Sequence, residues 1–448
     1  MNTYDTIKEK VIIMEENHKK GKIGISICLV LLAVSLAVFS VIKNQTKPTE
    51  PTPPSPVEDP TAYQESDFNL NLIKTVNSIQ KGNYLISPYS IEVALSMLRE
   101  GSSGTTLEEL NTVVPKRDIP DVSIKNRIGI ANAIFLKDRY ADFIEKDYMN
   151  QLTKDYQSEV IVDKFQTPKV INDWANKNTY KMIPKVLEKI DDDFVLGLAN
   201  AVAIDVEWAN HFECENTIKE QFTKVNHEKI NVEMMHQTFE NNASYFETKN
   251  AKGIILPYDK YDINGKEKYK DGKELEFIGI LPTEDVYSYI EKLTQEELKD
   301  IEDNQEEASK DLYISLSLPR FSYNYNLDSF RKVLMAMGIK TAFDQDNADF
   351  TKIISRENMI KEGIGNLYVD TTIHKTYIDL NEKGTKAAAL TFIGLNKETA
   401  AFHEPRIIKL SFNKPFAYMI RDKETKEILF FGVVNKPNLW KKTTCEES

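Results

Sequence analysis

The chain has 448 residues and a net charge of −12, from 57 Lys and Arg against 69 Asp and Glu. Hydrophobic residues at 41% and charged residues at 28% are globular proportions, which excludes wholesale disorder and collagen-like repeats. The acidic balance argues against a nucleic-acid binder, which needs a basic face for phosphates.

Residues 23–42, IGISICLVLLAVSLAVFSVI, carry no charge. Twenty residues at about 1.5 Å rise make a helix of about 30 Å, the thickness of a bilayer core. The run is longer than the apolar stretch of a signal peptide and begins late, so it reads as a retained transmembrane helix through which the chain meets a lipid bilayer. A cleaved signal peptide is the rival reading. Lys8, Lys10, Lys19, Lys20 and Lys22 precede the span, and only Lys43 and Lys47 follow closely. The positive-inside bias then keeps residues 1–22 cytoplasmic and sends the remainder outside the cell membrane. Residues 43–61 hold six prolines, Pro48, Pro51, Pro53, Pro54, Pro56 and Pro60. That composition favours an extended polyproline stalk over a core.

Globular composition runs from residue 62 to about 440 without a second linker or repeat, followed by a short tail, 441–448. Residues 67–81 place Phe68, Leu72, Ile73, Val76 and Ile79 at helical spacing behind Asp67, and 90–100 repeat the pattern. Residues 311–321 and 374–380 alternate as strands do, while 275–282 and 428–434 are continuous apolar runs expected as buried strands. The mixture, without regular βαβ alternation, points to an α+β fold.

Catalytic signatures are missing: the chain has no G-x-S-x-G, no H-E-x-x-H and no phosphate loop. GSSGTT (101–106) reads as a turn in which Thr105 or Thr106 caps the next helix. Asp191, Asp192 and Asp193 read as a solvated turn. The three cysteines, Cys28, Cys214 and Cys445, are too few for a disulfide framework; Cys214 and Cys445 could pair outside the cell, but nothing requires it. His211 and Cys214 lie three apart, yet a metal site would need further partners, so no metal or cofactor is assigned.

Residues 381–404 read NEKGTKAAALTFIGLNKETAAFHE. After the turn Asn381–Gly384, one two-residue set is Thr385, Ala387, Ala389, Thr391, Ile393 and Leu395; the other is Lys386, Ala388, Leu390, Phe392, Gly394 and Asn396. The first set could face a core and the second a more exposed surface. A segment so small in its first half could slide between strands; an ordinary edge strand followed by a loop is the plainer alternative.

Several ordered motifs together resemble the serpin family across residues 65–440. They are NYLISPYSIEVALSMLREGSSGTTLEEL (83–110), LANAVAIDVEWANHF (198–212), VEMMHQT (232–238), LPRFSYNYNLDSFRKVLMAMGI (318–339), ADFTKI (348–353), HKTYIDLNEKGTKAAALT (374–391) and FNKPFAYMIRDKETKEILFFGVVNKP (412–437). The resemblance implies eight or nine helices around three sheets, with an exposed reactive loop and a metastable native state. It implies a suicide inhibitor of serine proteases, with no catalytic residues, acting as a monomer. The cleaved loop then inserts into the central sheet and traps the acyl-enzyme.

By the same resemblance Glu382, Gly384, Thr385, Ala387, Ala388, Ala389 and Thr391 form the hinge. Ser87, Ser90, Asn200 and His374 form a buried cluster that lets the sheet part, with Trp208 near the insertion point. Family spacing puts the reactive bond at Glu398–Thr399, which suits a glutamate-preferring serine protease; a slip to Lys397 would suit a trypsin-like enzyme. Lys386 and Leu390 depart from the family's usual residues, both on the outward set. A non-inhibitory serpin serving as a surface binding module is the alternative.

Overall fold

Ser87 opens a long buried helix, α2 (Pro88–Glu100), preceded by α1 (Phe68–Ile79). The Ser87 side chain accepts a hydrogen bond from the Ser90 N–H, and Pro88 occupies the first turn, where its missing donor is harmless. The computed structural model describes residues 68–156, 158–190, 194–262, 264–268, 270–363, 365–385 and 405–441. The apolar span 23–42, the proline-rich stretch 43–61, the turn 191–193, hinge residues Ala387, Ala388, Ala389 and Thr391, and the expected reactive bond at Lys397, Glu398 and Thr399 lie outside them. Among the described residues no helix is long and apolar enough to cross a membrane.

Nine α-helices and three sheets form an α+β fold among the described residues. Segments 275–282 and 428–434 are fully buried strands of one seven-stranded sheet. Strand Leu312–Pro319 alternates between buried and half-buried positions in a four-stranded sheet, as its sequence alternation predicts. In contrast, neither Thr105 nor Thr106 caps a helix. Helix α3 (Gly104–Val113) starts behind Ser103, so both threonines lie inside its first turn. The Thr106 hydroxyl instead accepts from the Asp349 N–H at 2.9 Å.

The third sheet is mixed. Its strands in chain order are β1 (Ile128–Lys137), β2 (Glu159–Asp163), β3 (Leu196–Ile204), β4 (Val206–Glu207), β5 (Phe321–Asn326), β6 (Val369–Leu380) and β7 (Gly384–Thr385). Across the sheet they run β2-β1-β3-β6-β7-β4, with β5 on the far side of β6. The inner face of β3 offers Leu198, Val202 and Ile204 to the main hydrophobic core. Its outer face is small, Ala199, Ala201 and Ala203, and packs with Ile373, Phe135 and Trp174 in a second cluster. Trp174 comes from α4 (Lys169–Asn178) and meets Phe135 edge to face at 5.3 Å. Helix α4 therefore covers this part of the outer face; the two-residue set over 386–396, expected on a more exposed surface, lies outside the described residues.

Candidate functional site

The central strands β3 and β6 pair directly and in parallel, Leu198 opposite Thr372 through Val202 opposite Thr376. At the end of β6 the chain turns at residues 381–383, and β7 runs back antiparallel. Thr385 faces Leu380 of β6 on one side and Val206 of β4 on the other. Those two neighbours are 174 positions apart, the same offset that separates Asn200 from His374 in the β3–β6 pairing. So β7 already occupies the mouth of the seam, in the register a longer strand would need.

Below that mouth a polar cluster crosses the seam. His374 Nδ1 lies 2.7 Å from Asn200 Oδ1, and the Ser87 N–H donates to His374 Nε2 at 3.2 Å. The two bonds are both satisfied by a neutral imidazole with its proton on Nδ1. Asn200 Nδ2 donates to Asn132 Oδ1 at 2.7 Å and to Ser90 Oγ. Ser87, Ser90, Asn200 and His374 have no exposed surface. Burial pushes the His374 imidazole down to about 3, so it is neutral at physiological pH. Polar groups in a core must be bonded to one another, and this network meets that demand while spanning the joint between two strands. Asn132, a lone amide in the apolar run of β1, was not singled out from sequence; its position opposite Asn200 in the β1–β3 pairing gives it this role.

The mouth of the seam is tied from several sides. Glu382 accepts from Arg320 Nε at 2.6 Å and from the Thr217 hydroxyl, and its carbonyl accepts from the Phe212 N–H at 2.8 Å. Arg320 also lies 3.9 Å from Glu233. Trp208 donates from Nε1 to the Asn381 carbonyl at 2.9 Å and from its backbone to the Lys383 carbonyl at 2.8 Å. Its ring stacks on Tyr258 with centroids 4.5 Å apart. Gly384 has no room for a side chain: a Cβ there would lie 2.1 Å from the Val206 carbonyl oxygen. Arg320, Thr217 and Tyr258 carry no local signal of these contacts, because each reaches residues 382–385 only through the fold.

Cys214 is disulfide-bonded, and Cys28 and Cys445 both lie outside the described residues.

The model of the family described as "Serpin (serine protease inhibitor)" matches residues 63–437. The chain belongs to the serpin family. Among solved serpins, the thermophilic serpin tengpin in its native state is similar at 31% identity with a TM-score of 0.68, over 83% of this chain and 92% of that one. Thyroxine-binding globulin, at 21% identity and a TM-score of 0.66, shares the serpin fold over 84% of this chain and 98% of its own. An uncharacterised serpin-like protein of Thermococcus kodakarensis is 29% identical over 85% of this chain and 86% of the relative. The leukocyte elastase inhibitor of Xenopus laevis is 27% identical over 83% of this chain and 97% of its own.

Proposed function

We propose that this serpin inhibits serine endopeptidases by inserting its cleaved loop between β3 and β6. The observation that carries this reading is the closed β3–β6 seam with Gly384–Thr385 already seated at its mouth. Parallel neighbours joined by an antiparallel starter leave one continuation: a strand antiparallel to both. Each inserted residue would add ladder hydrogen bonds, and every second side chain would join the main core. A strand of about fourteen residues at about 3.3 Å each would carry an attached protease roughly 46 Å. The inhibitory relative from Xenopus laevis supports a protease as partner.

The reactive bond in this reading is Glu398–Thr399, with Lys397 as the alternative P1 residue. The domain stands outside the cell, held by residues 23–42 and spaced by residues 43–61. Protease added to intact cells tests that orientation by releasing the domain through cuts in 43–60; release only after lysis overturns it.

The test of inhibition mixes the full chain, in a non-ionic detergent, with a glutamate-specific serine protease and separately with trypsin. A band stable to SDS, with a released fragment beginning at Thr399, supports trapping at Glu398. A fragment beginning at Glu398 moves the bond to Lys397. Clean loop cleavage with neither a covalent band nor a gain in thermal stability favours the non-inhibitory surface module instead.

A further inference from the structure

Beside the hinge mouth, three ligand-type side chains converge that the inhibitory reading does not use. Glu207 follows Val206 in β4, His211 lies four residues on, and Asp259 follows the strand Ala251–Pro257. Backbone bonds hold the two segments together: the Asp259 N–H donates to the Glu207 carbonyl at 2.8 Å, and the Ala209 N–H to the Pro257 carbonyl at 3.0 Å. Trp208 and Tyr258 form a bridge between them.

One carboxylate oxygen of Glu207, one of Asp259 and one ring nitrogen of His211 all lie within 4.8 Å of one another. His211 Nε2 is 3.3 Å from Glu207 Oε2, the spacing of two ligands on one tetrahedral ion. The Glu207 side chain is only 6% exposed, and His211 is its only hydrogen-bond or ion-pair partner among the described residues; the Asp259 carboxylate accepts no hydrogen bond from them. The charges around the pair are Arg127, Glu267 and Lys268. Arg127 is engaged with Glu267 and lies over the Tyr261 ring. His211 keeps 24% of its side chain exposed, which leaves a path from solvent.

We propose that Glu207, His211 and Asp259 form a binding site for a divalent transition-metal ion, with zinc the best match. One imidazole and two carboxylates suit Zn²⁺, whose tetrahedral bonds of about 2.0–2.2 Å set ligand atoms roughly 3.3–3.6 Å apart, so atoms now within 4.8 Å of one another would close by up to about 1.5 Å. A fourth position stays open to water. The ion would pin β4 to the segment after Pro257, and β4 is the strand against which Gly384 lies.

The test uses the full chain in detergent, stripped with EDTA and titrated with Co²⁺ and with Zn²⁺. Visible absorption of tetrahedral Co²⁺ that saturates at one equivalent is expected, with Zn²⁺ displacing it. His211→Asn and Asp259→Asn should each weaken binding by ~10- to 100-fold or more, with unchanged circular dichroism. His236→Asn, which removes the only other histidine facing a carboxylate among the described residues, should leave it intact. Absence of a one-equivalent site in the unsubstituted chain overturns the proposal, and so does a Co²⁺ spectrum that survives both substitutions. The spectrum reads the ion alone, so loss of protease trapping and loss of this site are separable results.

Discussion

The hydroxyls of Tyr258 and Thr385 lie 2.7 Å apart, and both side chains are buried. Burial raises the Tyr258 phenol well above its usual range, so it stays a neutral partner. Thr385→Val keeps the volume and leaves the phenol unbonded, at a cost of about 1–3 kcal/mol. The urea midpoint of the intact protein should fall accordingly, and Tyr258→Phe should recover part of the loss in the double variant. Equal and additive losses would mean the bond does not couple the two.

Thr385→Arg asks a different question. A guanidinium at this fully buried position, between Leu380 and Val206, would have to leave water to enter. The variant is expected to be cleaved by the target protease without a covalent band on denaturing gels. A band of normal yield would show that strand entry does not pass through this position.

Glu382 and Arg320 are a nearly buried pair, their side chains 5% and 11% exposed. Removing one partner of such a pair costs about 3–5 kcal/mol, because the other charge is left behind. Glu382→Ala should therefore lower native stability by that order. Because Arg320 also serves Glu233 at 3.9 Å, Glu382→Ala combined with Arg320→Met should lose less than the sum of the two single losses, measured by denaturant unfolding.

His374 gives the protein an acid limit. Its folded-state value is about 3 against about 6.5 in an unfolded chain, so the unfolded state binds the extra proton between those values. Its stability contribution is complete above pH 6.5 and is lost as pH falls toward 3. At pH 5.5 the loss is about 1.4 kcal/mol relative to pH 7.5. His374→Gln should flatten the stability curve over that window, whatever it does to absolute stability. An unchanged slope would assign the acid sensitivity elsewhere.

The register of β7 makes insertion a matter of counting. Continued without a bulge, it sets Lys386 between Asp205 and Asp379, and Thr391 between Asn200 and His374. On insertion as proposed, Lys386 would meet these two carboxylates. Lys386→Glu should lower the yield of covalent complex relative to cleaved protein. By the same count Ala389 comes opposite Val202, so the double variant Ala389→Cys, Val202→Cys should form a disulfide after loop cleavage and not before. A cross-link shifted by one residue would overturn the register.

Much of this fold is legible along the chain. The Ser-Pro start of α2 and the apolar runs 275–282 and 428–434 declare themselves, because a cap and a doubly buried strand are local matters. The family motifs name His374, Asn200 and Trp208. What no window of sequence displays is the company they keep. Arg320 finds Glu382 across 62 positions, and Tyr258 finds Thr385 across 127. The outward set around Leu390 and Phe392 looks exposed until α4 is seen to roof the alanines of β3. In the extended register Phe392 would stand opposite Ala199 and Ile373, inside that second cluster, where an aromatic ring is suited rather than tolerated.

The direct β3–β6 pairing also sets a clock. In the proposed mechanism the closed seam is held by a barrier and not by equilibrium, so the lifetime of the armed protein would be the waiting time for that seam to open unprompted. Opening rates of packed structure climb about three- to six-fold for each 10 °C. On that mechanism a stored sample would age by losing its readiness while remaining folded and, by assays of structure, sturdier than when it was made.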